Sequence, residues 1–179
     1  MLILLKWILD KWNKKKNTID YWRGEGTRIG ERCFVHPDAD FGSEPYLISL
    51  GNHVRVNNGV KMITHDGGVW VLRELPSINR HKEIDLFGKI SIGDNVHIGT
   101  NAIILPGVSI GSNSIIGVGA IVTRSIPENS IAVGIPARVI ETVDDYYEKN
   151  KYKLLYTKLM TDIEKKNYLL KEDIELKNK

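Results

Sequence analysis

From Ile92 to Ile126 a branched apolar residue returns every six positions, at Ile92, Ile98, Ile104, Ile110, Ile116 and Val122. Neither a helix of 3.6 residues per turn nor a hairpin meander holds that phase over so many units, whereas stacked circuits of short parallel strands do. Gly recurs in second place (Gly93, Gly99, Gly111, Gly117) and a small or β-branched residue in fifth (Val96, Ala102, Val108, Ser114, Ala120). The pattern predicts a parallel β-helix solenoid. First-place residues point inward, fifth-place residues pack beside them, and Gly or Asn near each bend takes φ > 0.

The same phase begins upstream, from Thr27, with Ile29, Val35 and Phe41. It slips by three residues over 46–49 and restarts at Leu50, Val56 and Met62, which predicts a bulged corner or a short loop. Met62 and Leu86 stand 24 residues apart, a spacing that preserves the phase, but Gly68, Glu74 and Arg80 between them cannot serve as inward apolar residues. Residues 66–85 are therefore expected to leave the solenoid as an extruded loop, with the repeat resuming at Leu86 in LFGKIS. An excursion of that length from a compact repeat marks a candidate active-site or acceptor-binding arm.

The ends read differently. MLILLKWILDKW is an apolar run broken by Lys6, about half the roughly 20 residues needed to cross a bilayer, with no basic region before it and no small-residue cleavage site after it. The expectation is a cytoplasmic protein whose N-terminal helix, within 1–26, caps the open end of the solenoid or packs against another subunit. Trp7, Trp12 and Lys14, Lys15, Lys16 also suit peripheral contact of residues 1–16 with an anionic inner-membrane surface. Beyond the β-helix domain, 27–140, residues 141–179 carry Leu155, Leu159 and Ile163 at i, i+4 and i+8, with Tyr152 and Tyr156 on the same side. That spacing predicts a C-terminal helical tail with a charged face, packed on the solenoid or binding a partner.

Charge and cysteine usage narrow the classes. The 25 basic and 22 acidic residues of the 179 leave +3, too little to argue for nucleic acid, and six of the bases sit in residues 1–23. One cysteine, Cys33, rules out an intrachain disulfide framework, and its fifth place in IGERCF reads as a small buried hydrophobe.

The units follow one rule: an aliphatic residue, a Gly or other small or acidic residue, two free positions, then Ser, Thr, Ala or Val, then one free position. With the ending VTRSIPENSIAVGIPARVI, the stretch from Ile92 to Ile140 resembles the closing coils of the hexapeptide-repeat sugar and xenobiotic O-acetyltransferases. The resemblance implies a left-handed β-helix, a homotrimer, and acetyl-CoA bound in the groove between subunits. It also implies the donor site: Gly117 and Ala120, small where a pantetheine arm approaches the backbone, then Thr123 and Arg124, with Pro136 and Arg138 at the adenine and phosphates. Arginines can neutralise phosphate charge. No P-loop is present, and GVGA after a coil lacks a Rossmann context.

Transfer of an acetyl group from a thioester to a hydroxyl needs a base, a donor for the developing oxyanion and a groove that aligns both substrates. Histidine suits the base role. His65 stands where the last regular coil hands over to the loop, in ITHDGGVW, and the resemblance places the catalytic histidine there. Its orienting partner is open among Asp66, Asp85, Glu44 and a backbone carbonyl; Asp66 also reads as an acceptor-binding residue that holds a sugar hydroxyl, or as a turn former before Gly67 and Gly68. Trp70 offers a face on which a sugar can stack, and Arg73 a fork for hydroxyls. His97 stands where many relatives carry Trp, as a polar contact to donor or acceptor or as an exposed sixth-place residue. His53 reads as a bend residue, His36 and His81 as surface or loop residues.

The reading is an acetyl-CoA-dependent O-acetyltransferase acting on a carbohydrate hydroxyl of a capsule, O-antigen or related surface glycan. An amino-sugar nitrogen, an antibiotic or an amino-acid hydroxyl stays open as acceptor, because the loop and not the repeat selects it. Two other classes compete. A gamma-class carbonic-anhydrase-like metalloenzyme would draw ligands from His53, His65, His81 and His97, but the paired-histidine spacing is missing and no metal is expected. A non-catalytic solenoid would have no use for His65 at the loop junction.

Overall fold

A computed structural model describes residues 17–77 and 83–171. Among the described residues thirteen short strands fall into three sheets, which the chain visits in rotation from residue 48 to residue 122. The first holds β1 (Arg28–Ile29), β3 (Ile48–Leu50), β6 (Ile90–Ile92) and β9 (Ser109–Ile110). The second runs β13 (Arg138–Thr142), β12 (Ser130–Val133), β10 (Ser114–Ile116), β7 (Val96–Ile98), β4 (Arg55–Val56) and β2 (Phe34–Val35). The third runs β11 (Ile121–Val122), β8 (Ile103–Ile104) and β5 (Lys61–Met62). All pairings are parallel except β13 on β12. Ile98 pairs with Ile116 and Ile104 with Val122, one circuit of 18 residues apart.

The six-residue period works through burial. Ile92, Ile98, Ile104, Ile110, Ile116 and Val122 all lie in the core, with Val96, Ala102, Val108, Ser114 and Ala120 buried beside them. A fully buried branched side chain is worth about 1.5–3 kcal/mol, so each circuit carries its own share of the stability.

Glycine has two roles here, and the expected one belongs elsewhere than the second place. Positive φ falls at the fourth place: His53, Asn95, Asn101 and Asn113, with Gly59, Gly107 and Gly119 in equivalent units, between 55° and 79°. The second-place glycines are small because the next circuit is close. A Cβ on Gly99 would stand 2.7 Å from the backbone nitrogen of Val118. His53 is thus a bend residue, and its Nδ1 meets Asn95 Oδ1 at 2.8 Å.

The three-residue slip appears as a 3-10 turn, Pro45–Leu47, between buried Phe41 and buried Ile48. Glu44 immediately precedes it. The return from the loop departs from expectation: Leu86 is 55% exposed, and burial resumes only at Ile90. The cause is antiparallel pairing of the loop's two limbs. Asp66 N donates to Leu86 O and Gly88 N to Thr64 O, both at 2.8 Å, which holds 86–88 beside 64–66 and outside the parallel sheets. Within the loop, Val69–Leu72 forms α2; residues 78–82, and the reading of His81 with them, lie outside the described residues.

At the N-terminal end α1 (Thr18–Gly24) is capped by Asn17, and buried Trp22 stacks on Phe41 at 4.6 Å between centroids. Residues 1–16, with the expected membrane contact, lie outside the described residues. No helix among the described residues is long and apolar enough to cross a membrane. Cys33 is only partly buried, its thiol donating to Gly51 O at 3.1 Å.

The chain divides into two compact units, Met1–Tyr146 and Tyr147–Lys179. The single periodic helix expected in the tail is replaced by two. After α3 (Val143–Asn150) and a 3-10 turn (Lys151–Lys153), residues 154–161 are irregular and α4 spans Asp162–Lys171. Leu155 and Leu159 fall in that irregular stretch, Leu159 being 99% exposed. A capping box restarts the helix: Thr161 N donates to Glu164 Oε2 at 2.8 Å and Glu164 N to Thr161 Oγ1 at 3.3 Å.

Candidate active site

β5 ends at Met62, and the chain turns toward the loop through Ile63, Thr64 and His65. Two contacts fix the histidine and a third fixes its carboxylate partner. Its Nδ1 lies 2.9 Å from Glu44 Oε2, the same oxygen accepts from Thr64 Oγ1 at 2.7 Å, and its backbone pairs with Phe87. The Phe87 ring stands edge-on to the imidazole, 6.3 Å between centroids. His65's side chain is 45% exposed and Glu44's 15%, so the carboxylate sits behind the ring and the ring opens outward. The Thr64 hydrogen bond, followed by that from His65, holds the Glu44 carboxyl below its ordinary value of 4.5. An ionised Glu44 accepts only, so Nδ1 carries the hydrogen and Nε2 is left as a proton acceptor.

Glu44 is thus the orienting partner among the four considered. Asp66 is not: its Oδ1 accepts from Gly68 N at 2.8 Å and forms the turn. Asp85 is not either, since it pairs with Arg73 at 2.6 Å. Arg73 also donates to Ile84 O from Nε at 3.0 Å and from Nη2 at 2.8 Å, so the guanidinium expected to meet the acceptor instead ties the loop's two limbs together. Trp70, on α2, is 73% exposed.

Thr123 and Arg124 follow β11, two strands along the third sheet from the β5 circuit that ends in His65, a rise of about 10 Å at the usual strand spacing. The GIPA segment lies against β11 as well, with Ile121 N donating to Gly134 O and Ala137 N to Ile121 O. Pro136, Arg138, Thr123 and Arg124 are all exposed at that end. Ala120 turns its methyl into the core, as fifth-place side chains do, and its carbonyl accepts from Ile103 N. Gly117 is half-buried under Val133, whose Cγ1 a Cβ would approach to 2.7 Å.

His97 faces a different sheet, on β7. It belongs to a small network in which Arg55 Nε donates to Asn57 Oδ1 at 3.1 Å and Asn57 Nδ2 meets His97 Nε2 at 3.3 Å. Burial, and then the Arg55 charge, press its pKa below 6.5. The network borders a cavity of about 450 Å³ on the second sheet, within the range of small-molecule sites. Among the described residues no group of three or more His, Cys, Asp and Glu could hold a metal ion.

Residues 89–124 match the family model described as bacterial transferase hexapeptide (six repeats). Protein CapG of Staphylococcus aureus is 48% identical over 168 residues, covering 93% of this chain and 95% of its own length. The galactoside O-acetyltransferase of Escherichia coli K12 is 52% identical over 131 residues, 71% of this chain and 61% of that enzyme. Among solved structures, a hexapeptide-repeat-containing acetyltransferase of Vibrio cholerae O1, complexed with acetyl coenzyme A, superposes with a TM-score of 0.55 at 26% identity, over 66% of this chain and 61% of that one.

Proposed function

The chain belongs to the hexapeptide-repeat acetyltransferases, and from that premise we propose that it acetylates a carbohydrate hydroxyl in the assembly of a surface glycan, with His65 as general base. Acetyl-CoA is the donor. The relative named CapG supports the glycan reading, and the His65–Glu44–Thr64 arrangement carries the mechanistic one. The three-sheet winding is read as a left-handed β-helix, and the working assembly as a homotrimer in which one copy's loop faces the next copy's solenoid.

The chain's own groups then divide the work. Glu44 fixes the tautomer of His65 and favours the imidazolium that forms. Nε2 takes the proton of the acceptor hydroxyl as its oxygen bonds to the acetyl carbon, and returns that proton to the departing sulfur as the carbon–sulfur bond breaks. Arg124 and Arg138, exposed near β11 and without an ion pair among the described residues, suit the phosphates of the donor, and the rise of about 10 Å to His65 leaves room for an extended arm.

The test is thiol release from acetyl-CoA with a panel of aryl glycosides. Wild type should transfer to at least one, and His65→Ala should lower kcat by about 10²–10⁴-fold, the usual weight of a positioned base. Transfer undiminished in His65→Ala would remove the mechanism.

A further inference from the structure

The cavity on the second sheet has no part in the base chemistry of its own chain, and its lining has a marked chemical bias. Arg32, Arg55, His53 and His97 border it, together with Phe34 and Ile115, and no Asp or Glu among the described residues does. Neither arginine has an ion pair among the described residues. Arg55 is held in place without being neutralised: its guanidinium carbon lies 5.3 Å over the Phe34 ring, and its Nε is bonded to Asn57. That geometry leaves the rest of its fork open.

We propose that this cavity is a specificity site for an anionic group on the acceptor sugar, a carboxylate in the simplest case, with Arg55 as the forked donor and Arg32 as supporting charge. The inference rests on the acetyltransferase reading and names its substrate class. Phe34, half exposed, gives the sugar ring an apolar platform beside the fork. His97, kept neutral by burial and by the positive neighbour, adds a hydrogen-bonding group without a second charge.

Position along the winding argues for the acceptor over the donor phosphates as the source of the anion. Arg55 on β4 and His65 beyond β5 belong to the same circuit, so in a symmetric assembly about an axis along the winding they stand at equal height on neighbouring copies. The exposed basic residues near β11 lie two strands further along.

The experiment compares p-nitrophenyl β-galacturonide with p-nitrophenyl β-galactoside, which differ only at C6, in wild type, Arg55→Gln and Arg55→Lys. It adds calorimetric titration with sodium galacturonate and with galactose in the presence of CoA. Expected is a wild-type kcat/KM preference for the uronide of about 10- to 100-fold, the weight of a charge-assisted hydrogen bond, falling at least tenfold in Arg55→Gln through the acceptor KM and partly retained in Arg55→Lys. Equal use of both sugars by wild type overturns the proposal, as does a rise in the acetyl-CoA KM of Arg55→Gln at constant acceptor KM, which would assign the cavity to the donor. If neither sugar is acetylated but galacturonate binds tenfold tighter to wild type than to Arg55→Gln, the acid site stands and the transferase reading for these sugars fails. Absence of galacturonate binding in a folded wild type overturns the site itself.

Discussion

Removing the carboxylate behind His65 tests the mechanism most directly. In Glu44→Gln an amide oxygen still accepts from Thr64 and from Nδ1, so the ring stays oriented and only the charge is lost. Two unit charges about 4 Å apart attract by about 4 kcal/mol at an effective dielectric near 20. The 2.9 Å contact approaches that case, but His65's 45% exposure lets solvent screen part of it. Taking about half leaves ~2 kcal/mol of transition-state stabilisation, or about 30-fold in kcat. Glu44→Ala also frees the ring to rotate and exchange tautomers, and it strands the hydroxyl of fully buried Thr64; a further tenfold loss is expected, about 300-fold in all. The assay is thiol release at saturating acceptor, with acetyl-CoA KM and thermal melting as controls. The sign of the pH effect follows from the depressed pKa. Glu44 is still ionised below 4.5, so its stabilising contribution is complete above that value and is lost as pH falls through the lowered one; Glu44→Gln should lack this acid-side loss. A Glu44→Ala enzyme that keeps its fold and works within threefold of wild type would falsify the orienting role.

Three further outcomes separate the forces at work. Gly99→Ala places a Cβ 2.7 Å from the Val118 nitrogen and should cost about 1–3 kcal/mol in urea unfolding, whereas Gly119→Ala meets nothing within 4 Å and should cost only the positive-φ penalty of about 1–2 kcal/mol; the reverse order would refute the two glycine roles. Because the pKa of His97 is depressed, the unfolded chain takes up its proton first as pH falls below 6.5, so stability from this group is complete above 6.5 and declines beneath it; His97→Asn should flatten that part of the stability profile, and an unchanged slope would exclude His97 as its source. Deleting residues 99–116, one 18-residue circuit, should leave a cooperatively melting solenoid but cut acetyl transfer at least 100-fold, since it brings Arg124 and Arg138 about 4.8 Å nearer to the base; transfer at the wild-type rate would show that the rise between them is immaterial.

What the chain discloses in advance depends on how local the cause is. The inward phase is readable because one residue in six decides burial within its own circuit, and Ile92 through Val122 obey it without exception. The caps are equally local: Thr142 Oγ1 accepts from Asp145 N, and Thr161 with Glu164 forms a capping box that the i+4 pattern of Leu155, Leu159 and Ile163 conceals. Leu86 misleads for the opposite reason: a 24-residue gap keeps phase arithmetically, while the pairing of 64–66 with 86–88 is a contact between limbs that periodicity does not encode. Ala120 obeys the inward phase, its fifth place putting its methyl in the core.

Glu44 is the instructive case. One regular circuit of 18 residues before His65 stands Leu47, which can orient nothing. The observed partner is 21 residues upstream, because the three residues of the slip are inserted between them. The irregularity that interrupts the repeat is therefore what delivers a carboxylate to the histidine. Adding the slip to the circuit length would have singled out Glu44 among the candidate acids, since Asp66 and Asp85 lie on the loop side of His65. Where the period holds, the first- and fifth-place side chains fill the core and only the outward places are free for ligands; the slip frees Glu44, whose carboxylate reaches His65 Nδ1 at 2.9 Å.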